Sequence, residues 1–195
     1  MNGVEVTRAV SLGQFPHGFL GRRGGISVGE CAGLNVGFGS NDDPEAIAGN
    51  RRLAVAALLA DAQLATVHQV HSAEVVVADA PWPQDARPRA DAMVTDTPNL
   101  LLGILTADCA PVLFADHEAV VVGAAHAGWR GLAAGVVERT VDALCEAGEC
   151  APGDLVAWLG ACIGADAFEV GEDVLAAFHA APGQRGDPSV RFRAA

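Results

Sequence analysis

The sequence predicts a mixed α/β fold, of α+β or layered α/β type rather than a doubly wound sheet. Three observations carry this. Short apolar runs crowd between residues 92 and 125, each bounded by Thr, Asp or Pro, as buried strands are. Gly131 to Ala147 has apolar residues at helical spacing. The first forty residues are glycine-rich and weakly periodic, which suits hairpins and tight turns more than helix. Hairpins come first and strand–helix alternation follows, an order that favours segregated or layered elements.

The elements can be justified in turn. Gly21-Arg22-Arg23-Gly24-Gly25 and Gly33-Leu34-Asn35-Val36-Gly37 read as turns between short strands. Asp42-Asp43-Pro44-Glu45 opens a helix, with a capping Asp, Pro in the first turn and an early acid. That helix is expected to run to about Leu59, anchored by Ile47, Leu53 and Leu58-Leu59. Ala65–Val70 and Glu74–Ala78 are strand-like, and the stretch from Pro81 to Pro88 is a loop. Ala92–Val94, Leu100–Leu105, Pro111–Ala115 and Ala119–Ala125 are the apolar strands. In the Gly131–Ala147 helix, Leu132, Val136, Val137, Val141, Leu144 and Cys145 share one face, and Gly148 ends it. Leu155–Leu159 is a further strand, and Val174–His179 begins a last helix that Pro182-Gly183 cuts off. The polar segment from Gly183 to Ala195 is expected to be loosely held.

Composition excludes several classes. Of the 195 residues, 51% are hydrophobic and 18% charged, enough apolar material for a core and too much for a disordered chain. A net charge of −12 repels a phosphate backbone at long range, so a general nucleic-acid binder is not expected. A small anion needs only a local group of arginines. The N-terminus lacks a basic segment followed by an apolar one, and Leu100–Phe114 is too short and too polar to span a bilayer. A cytoplasmic protein without membrane partners is the expectation. The five cysteines contain no CxxC pair and read as free thiols or metal ligands. No signal for an oligomeric state is present.

Four segments hold polar residues that a core would not select. They are His68-Gln69-Val70-His71, Thr106-Ala107-Asp108-Cys109, His126 to Gly131, and Gly160 to Gly164. Each lies at or just after the end of an expected strand, where loops converge in α/β enzymes. Imidazole and thiolate are preferred zinc ligands, and three protein ligands with one open position define a catalytic site. His71, Cys109 and His126 would form such a set. Their separations of 38 and 17 residues are too long for a local finger motif, so spacing leaves open a buried thiol and hydrogen-bonded histidines. On an extended strand His68 points away from His71, while Gln69 shares its face. His68 reads as either a packed residue or a substrate contact. Cys31, Cys145 and Cys150 read as bystanders, and Cys162 as structural.

With these segments in view, the chain resembles the YfiH-like family, also called the laccase-domain or multicopper polyphenol oxidase family. The matching blocks are HQVH at His68–His71, DAMVTD at Asp91–Asp96, TADCAPVLFAD at Thr106–Asp116, AAHAGWRG at Ala124–Gly131 and LGACIG at Leu159–Gly164. Upstream, HGF at His17–Phe19, GRRGG at Gly21–Gly25, GLNVG at Gly33–Gly37 and NRRL at Asn50–Leu53 also match. The resemblance implies a layered α/β/β/α sandwich similar to the catalytic domain of cytotoxic necrotizing factor, in one domain spanning 1–195. It implies one zinc per chain on His71, Cys109 and His126. It further implies phosphorolysis of adenosine, inosine, guanosine and methylthioadenosine with phosphate as co-substrate, and deamination of adenosine. The copper-oxidase name fits poorly, because a multicopper oxidase needs more imidazoles than six histidines supply. Family members carry a further tail with Cys-Thr and Tyr-Arg-Arg stretches; this chain has no tyrosine, and that tail is not expected in it.

Within the matched blocks, Arg22, Arg51 and Arg130 are the candidates for anion contacts, because guanidinium binds phosphate bidentately. Each reads equally well as a surface ion pair. Asn35, His68, Gln69 and Asp108 are the remaining candidate substrate contacts. A different enzyme class uses the same residues without a metal: Cys109 as nucleophile and His126 as base, in a hydrolase or amidase acting on peptidoglycan precursors.

Overall fold

The computed structural model describes residues 3–13, 15–116, 118 and 120–181. The strands are β1 (Val6–Thr7), β2 (Phe19–Leu20), β3 (Gln63–Thr66), β4 (Val75–Val77), β5 (Ala92–Thr95), β6 (Leu100–Gly103), β7 (Ala110–Asp116), β8 (Val121–Ala127) and β9 (Leu155–Leu159). The helices are α1 (Pro44–Leu58), α2 (Trp129–Ala133), α3 (Val136–Gly148) and α4 (Glu172–Ala180). The result is a mixed α/β fold. Its main sheet has the order β4-β5-β8-β7-β9, with two small sheets, β1-β2 and β3-β6, beside it. Only β4-β5 is parallel in the main sheet, and the other pairings are antiparallel. This is not a doubly wound arrangement, as the order of the elements predicts.

Packing explains the continuous apolar runs. β5 is buried along its whole length. Ala92 and Val94 join Val112, Phe114, Val121, Val136 and Leu144 in a core under α3. Met93, with the opposite side-chain direction, joins Ala65, Val67 and Leu100 in a second core under the β3-β6 pair. A strand covered on both faces has no solvent side to hold polar residues.

Several boundaries differ from expectation, each for a local reason. Asp43 caps α1 by accepting from Glu45 N at 3.0 Å, as its sequence predicts. Ile47 is buried there, but Leu53 is 37% exposed and anchors nothing. β3 stops at Thr66, and His68 leaves it to form an isolated parallel bridge with Arg89. The expected Gly131–Ala147 helix is two helices, because Gly135 adopts φ +88° between them. That left-handed conformation suits glycine and ends a right-handed helix. Leu132 consequently sits on α2 and is 41% exposed instead of lining the α3 face. α3 includes Gly148, and Glu149 takes the left-handed cap. Ala119, the Pro182-Gly183 break and the Gly183–Ala195 segment lie outside the described residues.

Candidate metal centre

The register of the main sheet gathers three distant side chains. Cys109 immediately precedes β7, and Pro111 of β7 lies opposite His126 of β8. On the other side of β8, Ala125 lies opposite Ala92, which places Asp91 next to His126. His71 arrives on the loop between β3 and β4. The ligand atoms of His71, Cys109 and His126 all lie within 4.8 Å of one another. Cys109 Sγ is 3.9 Å from His71 Nε2. The two imidazole rings meet edge to face at 4.8 Å between centroids.

Asp91, which carried no role in the sequence reading, organises this cluster. Its carboxylate is fully buried. Oδ1 accepts from His126 Nδ1 at 2.8 Å and from His71 N at 3.0 Å. Oδ2 accepts from Ser72 N at 2.6 Å, Ser72 Oγ at 2.9 Å and Val70 N at 3.1 Å. Its own carbonyl accepts from His126 N at 2.7 Å. These donors offset the cost of burying a charge. Burial pushes the carboxyl pKa up, but the bonds from His126, Ser72 and Val70 outweigh it and hold the group below the usual carboxylate range. His71 itself sits at φ +60°, a conformation that a non-glycine residue keeps only when its surroundings fix it. The backbone bonds at 70–72 supply that fixing. The available signal in the sequence was an acid directly before the apolar run Ala92–Val94, a position that requires buried partners.

The donor set fits a zinc-sized ion. With Nδ1 of His126 engaged by Asp91, Nε2 is the nitrogen left for an ion. From ordinary Zn–S and Zn–N lengths, tetrahedral ligands stand about 3.3–3.6 Å apart. The cluster is wider, with Cys109 Sγ 3.9 Å from His71 Nε2 and all ligand atoms within 4.8 Å, so the side chains must draw together to hold such an ion. Cys109 is pushed toward the protonated thiol, first by burial and then by Asp108 and Asp91. A bound dication reverses that bias. Gly128 completes the cradle: a Cβ there would lie 2.7 Å from His71 Cδ2 and 3.0 Å from Cys109 Sγ.

The other candidate residues separate into two groups. Arg22, Asn35 and Arg51 line one cavity of about 600 Å³ that extends to Thr106 and Ala107, on the loop leading to Cys109. Arg22 is exposed and donates to Ala32 O at 3.0 Å. Arg51 is a strut as well: Nε donates to Val36 O at 2.8 Å, Nη1 to Thr66 Oγ1 at 3.4 Å, and the guanidinium lies over Phe38. Its Nη2 is buried without a hydrogen-bond partner, and burial, aided by Arg87, pulls its pKa down to about 10. Asn35 spends its amide on Ser40, Asp42 and Gly37, holding the 35–42 turn. Outside the cavity, Gln69 gives both ends of its amide to Leu105. His68 is exposed, and its backbone pairs with Pro88 and Ala90. Asp108 is exposed beside Cys109, and Arg130 stacks on Trp129 at 4.1 Å.

A mixed sheet that delivers two imidazoles and a thiol to one point defines a class of α/β protein with a candidate mononuclear metal centre. Residues 16–193 match the family described as multi-copper polyphenol oxidoreductase laccase, and the chain belongs to that family. It is 46% identical over 182 residues to a protein of Deinococcus radiodurans named purine nucleoside phosphorylase, covering 92% of this chain and 68% of that one. It is 41% identical over 160 residues to purine nucleoside phosphorylase YfiH of Escherichia coli, covering 82% of this chain and 63% of that one. Among solved structures it is similar to Neisseria meningitidis protein NMB0706, with TM-score 0.77, 38% identity and coverage of 91% and 70%. It is also similar to the hypothetical protein YfiH of Bacillus licheniformis, with TM-score 0.80, 30% identity and coverage of 86% and 66%. The chain thus spans about two thirds of the length of the relatives it matches. No described helix is long and apolar enough to cross a membrane.

Proposed function

We propose that this chain acts as a zinc-dependent purine nucleoside phosphorylase with adenosine deamination as a second activity. The observation that carries the reading is the convergence of His71, Cys109 and His126 beside a cavity lined by arginines. The names of the relatives supply the substrate class. Zinc is favoured over a copper cluster because one His/Cys/Asp/Glu group of ligating geometry is present among the described residues. The reading extends to a single domain over 1–195, a layered α/β/β/α order like that of the necrotizing-factor toxin, a cytoplasmic location, and adenosine, inosine, guanosine and methylthioadenosine as substrates.

In phosphorolysis the bond between the base nitrogen and the sugar C1′ breaks, and a phosphate oxygen bonds to C1′. The departing base takes a proton or has its charge neutralised. When bound, zinc supplies Lewis acidity near neutral pH. Arg22 and Arg51 hold phosphate in the cavity, with Arg130 as a further cation at the metal-centre side. Asn35 and Gln69 keep the surrounding loops in place, and His68 and Asp108 stand as outlying contacts. Measuring metal content together with inosine turnover tests this. Hypoxanthine and ribose 1-phosphate should appear only when phosphate is present, and phosphate-independent release of free ribose would sink the phosphorylase reading.

A second reading is favoured by the Asp91–His126 hydrogen bond, which orients the imidazole as an acid does in a hydrolytic triad. Cys109 would then be the nucleophile of a metal-free hydrolase or amidase acting on peptidoglycan precursors. The upward push on the Cys109 thiol counts against a resting thiolate. Turnover that survives complete chelation would favour this second reading.

A further inference from the structure

We propose that Asp91 is the positioning residue of the centre: one buried carboxylate sets the tautomer of His126 and the backbone of His71 together, so the two imidazole ligands are prepared as a pair. The inference rests on the metal reading above, but its geometry stands on this chain's own atoms. Oδ1 is shared between His126 Nδ1 and His71 N. Oδ2 takes the neighbouring donors of Val70 and Ser72. Five donors meet one acceptor group, and no donor from Asp91's side chain is needed.

The arrangement has two consequences. First, a proton held on His126 Nδ1 leaves Nε2 as the ligating nitrogen. Second, His71 keeps its left-handed backbone at φ +60° only while the amides of 70–72 stay on Asp91. Asparagine cannot replace Asp91 without loss. Whichever way its amide turns, an NH₂ faces either the Oδ1 donors or the Oδ2 donors. The substitution Asp91→Asn therefore disturbs both imidazoles, although Asp91 is not itself a ligand of the ion.

Two measurements decide this. In metal-free wild-type protein labelled with ¹⁵N-histidine, His126 should resonate as the Nδ1–H tautomer, assigned by its loss in His126→Gln. An Nε2–H tautomer would overturn the inference whether or not metal binds. Optical titration with Co²⁺ gives the second readout. Asp91→Asn should bind Co²⁺ about 10–100-fold more weakly while keeping the thiolate-to-cobalt band at saturation. A folded Asp91→Asn protein with wild-type Co²⁺ affinity would overturn the inference. If that variant does not fold, the wild-type tautomer decides alone. Wild-type protein that takes up neither Co²⁺ nor Zn²⁺ removes the metal reading and the inference with it, an outcome distinct from the other two.

Discussion

The side-chain amide of Gln69 makes a two-point clamp on the backbone of Leu105: Nε2 donates to Leu105 O at 2.7 Å and Oε1 accepts from Leu105 N at 2.9 Å. The clamp joins the loop carrying His71 to the loop carrying Cys109. Gln69→Ala should therefore cost about 1–3 kcal/mol of stability, since two backbone groups lose partners. It should weaken metal uptake as well, by freeing the Cys109 loop. Urea denaturation and metal titration of the variant check both, and an unchanged midpoint would show that water replaces the clamp.

Removing the sulfur should strip the metal. Cys109→Ala is expected to lose both bound zinc and nucleoside turnover, as measured by elemental analysis and product formation. Zinc kept at full occupancy in that variant would remove Cys109 from the ligand set.

The close approach at Gly128 makes a subtler test. An added Cβ would lie 2.7 Å from the His71 ring, closer than normal van der Waals contact allows. Gly128 has φ −66°, so alanine is not strained at the backbone. Gly128→Ala should leave the fold intact by circular dichroism and reduce metal affinity at least tenfold, because His71 and Cys109 must move apart.

The two cavity arginines should separate by experiment. Arg22 is exposed with one backbone bond, whereas Arg51 holds Val36 and Thr66 and lies against Phe38. Arg22→Ala should raise the phosphate KM roughly ten- to a hundred-fold, corresponding to about 1.5–3 kcal/mol for a charge-assisted contact. Its melting temperature should stay near that of wild type. Arg51→Ala should lower the melting temperature by several degrees in addition. Equal effects on the phosphate and nucleoside KM values in Arg22→Ala would remove it as a phosphate contact.

Metal uptake should strengthen as pH rises. Burial, Asp108 and Asp91 hold the Cys109 thiol above its ordinary pKa, so the apo protein carries the proton through neutral pH. A dication must displace it, which makes binding release a proton and favours higher pH. Affinity measured from pH 6 to 8 should increase, with proton uptake or release followed in weakly buffered solution. Asp108→Asn should shift the curve slightly to lower pH, a small effect because Asp108 is exposed to solvent screening. A flat profile would show that no thiol deprotonates on binding.

The parts legible in the sequence were those fixed by local pattern. β5 and β8 were visible because strands covered on both faces are dominated by apolar residues, interrupted here only by Thr95 and His126. α1 announced itself through Asp43 and Pro44. The interruption at Gly135 was hidden, since the apolar spacing continues in phase across it. The two-residue strands β1 and β2 were too short to leave a pattern. At the site, residue chemistry singled out His71, Cys109 and His126 and could not reveal their supports. Asp91 and Gln69 act through partners about 20 and 36 residues away, and such contacts exist only once the sheet has closed.

The strand that bears His126 differs in kind from the loops that bear the other two residues. Gly123, Ala124 and Ala125 are buried between β5 and β7, Ala127 is buried beside Ala110 of β7, and Gly123 lies closely under Leu144 of α3. Small side chains there leave almost no rotameric freedom and no room for the strand to shift. His126 is a fixed post on the sheet, His71 is pinned to it through Asp91, and only Cys109 stands on a turn with neither support. The cluster is therefore stiff on its imidazole side, and any freedom it has lies on the side of the thiol.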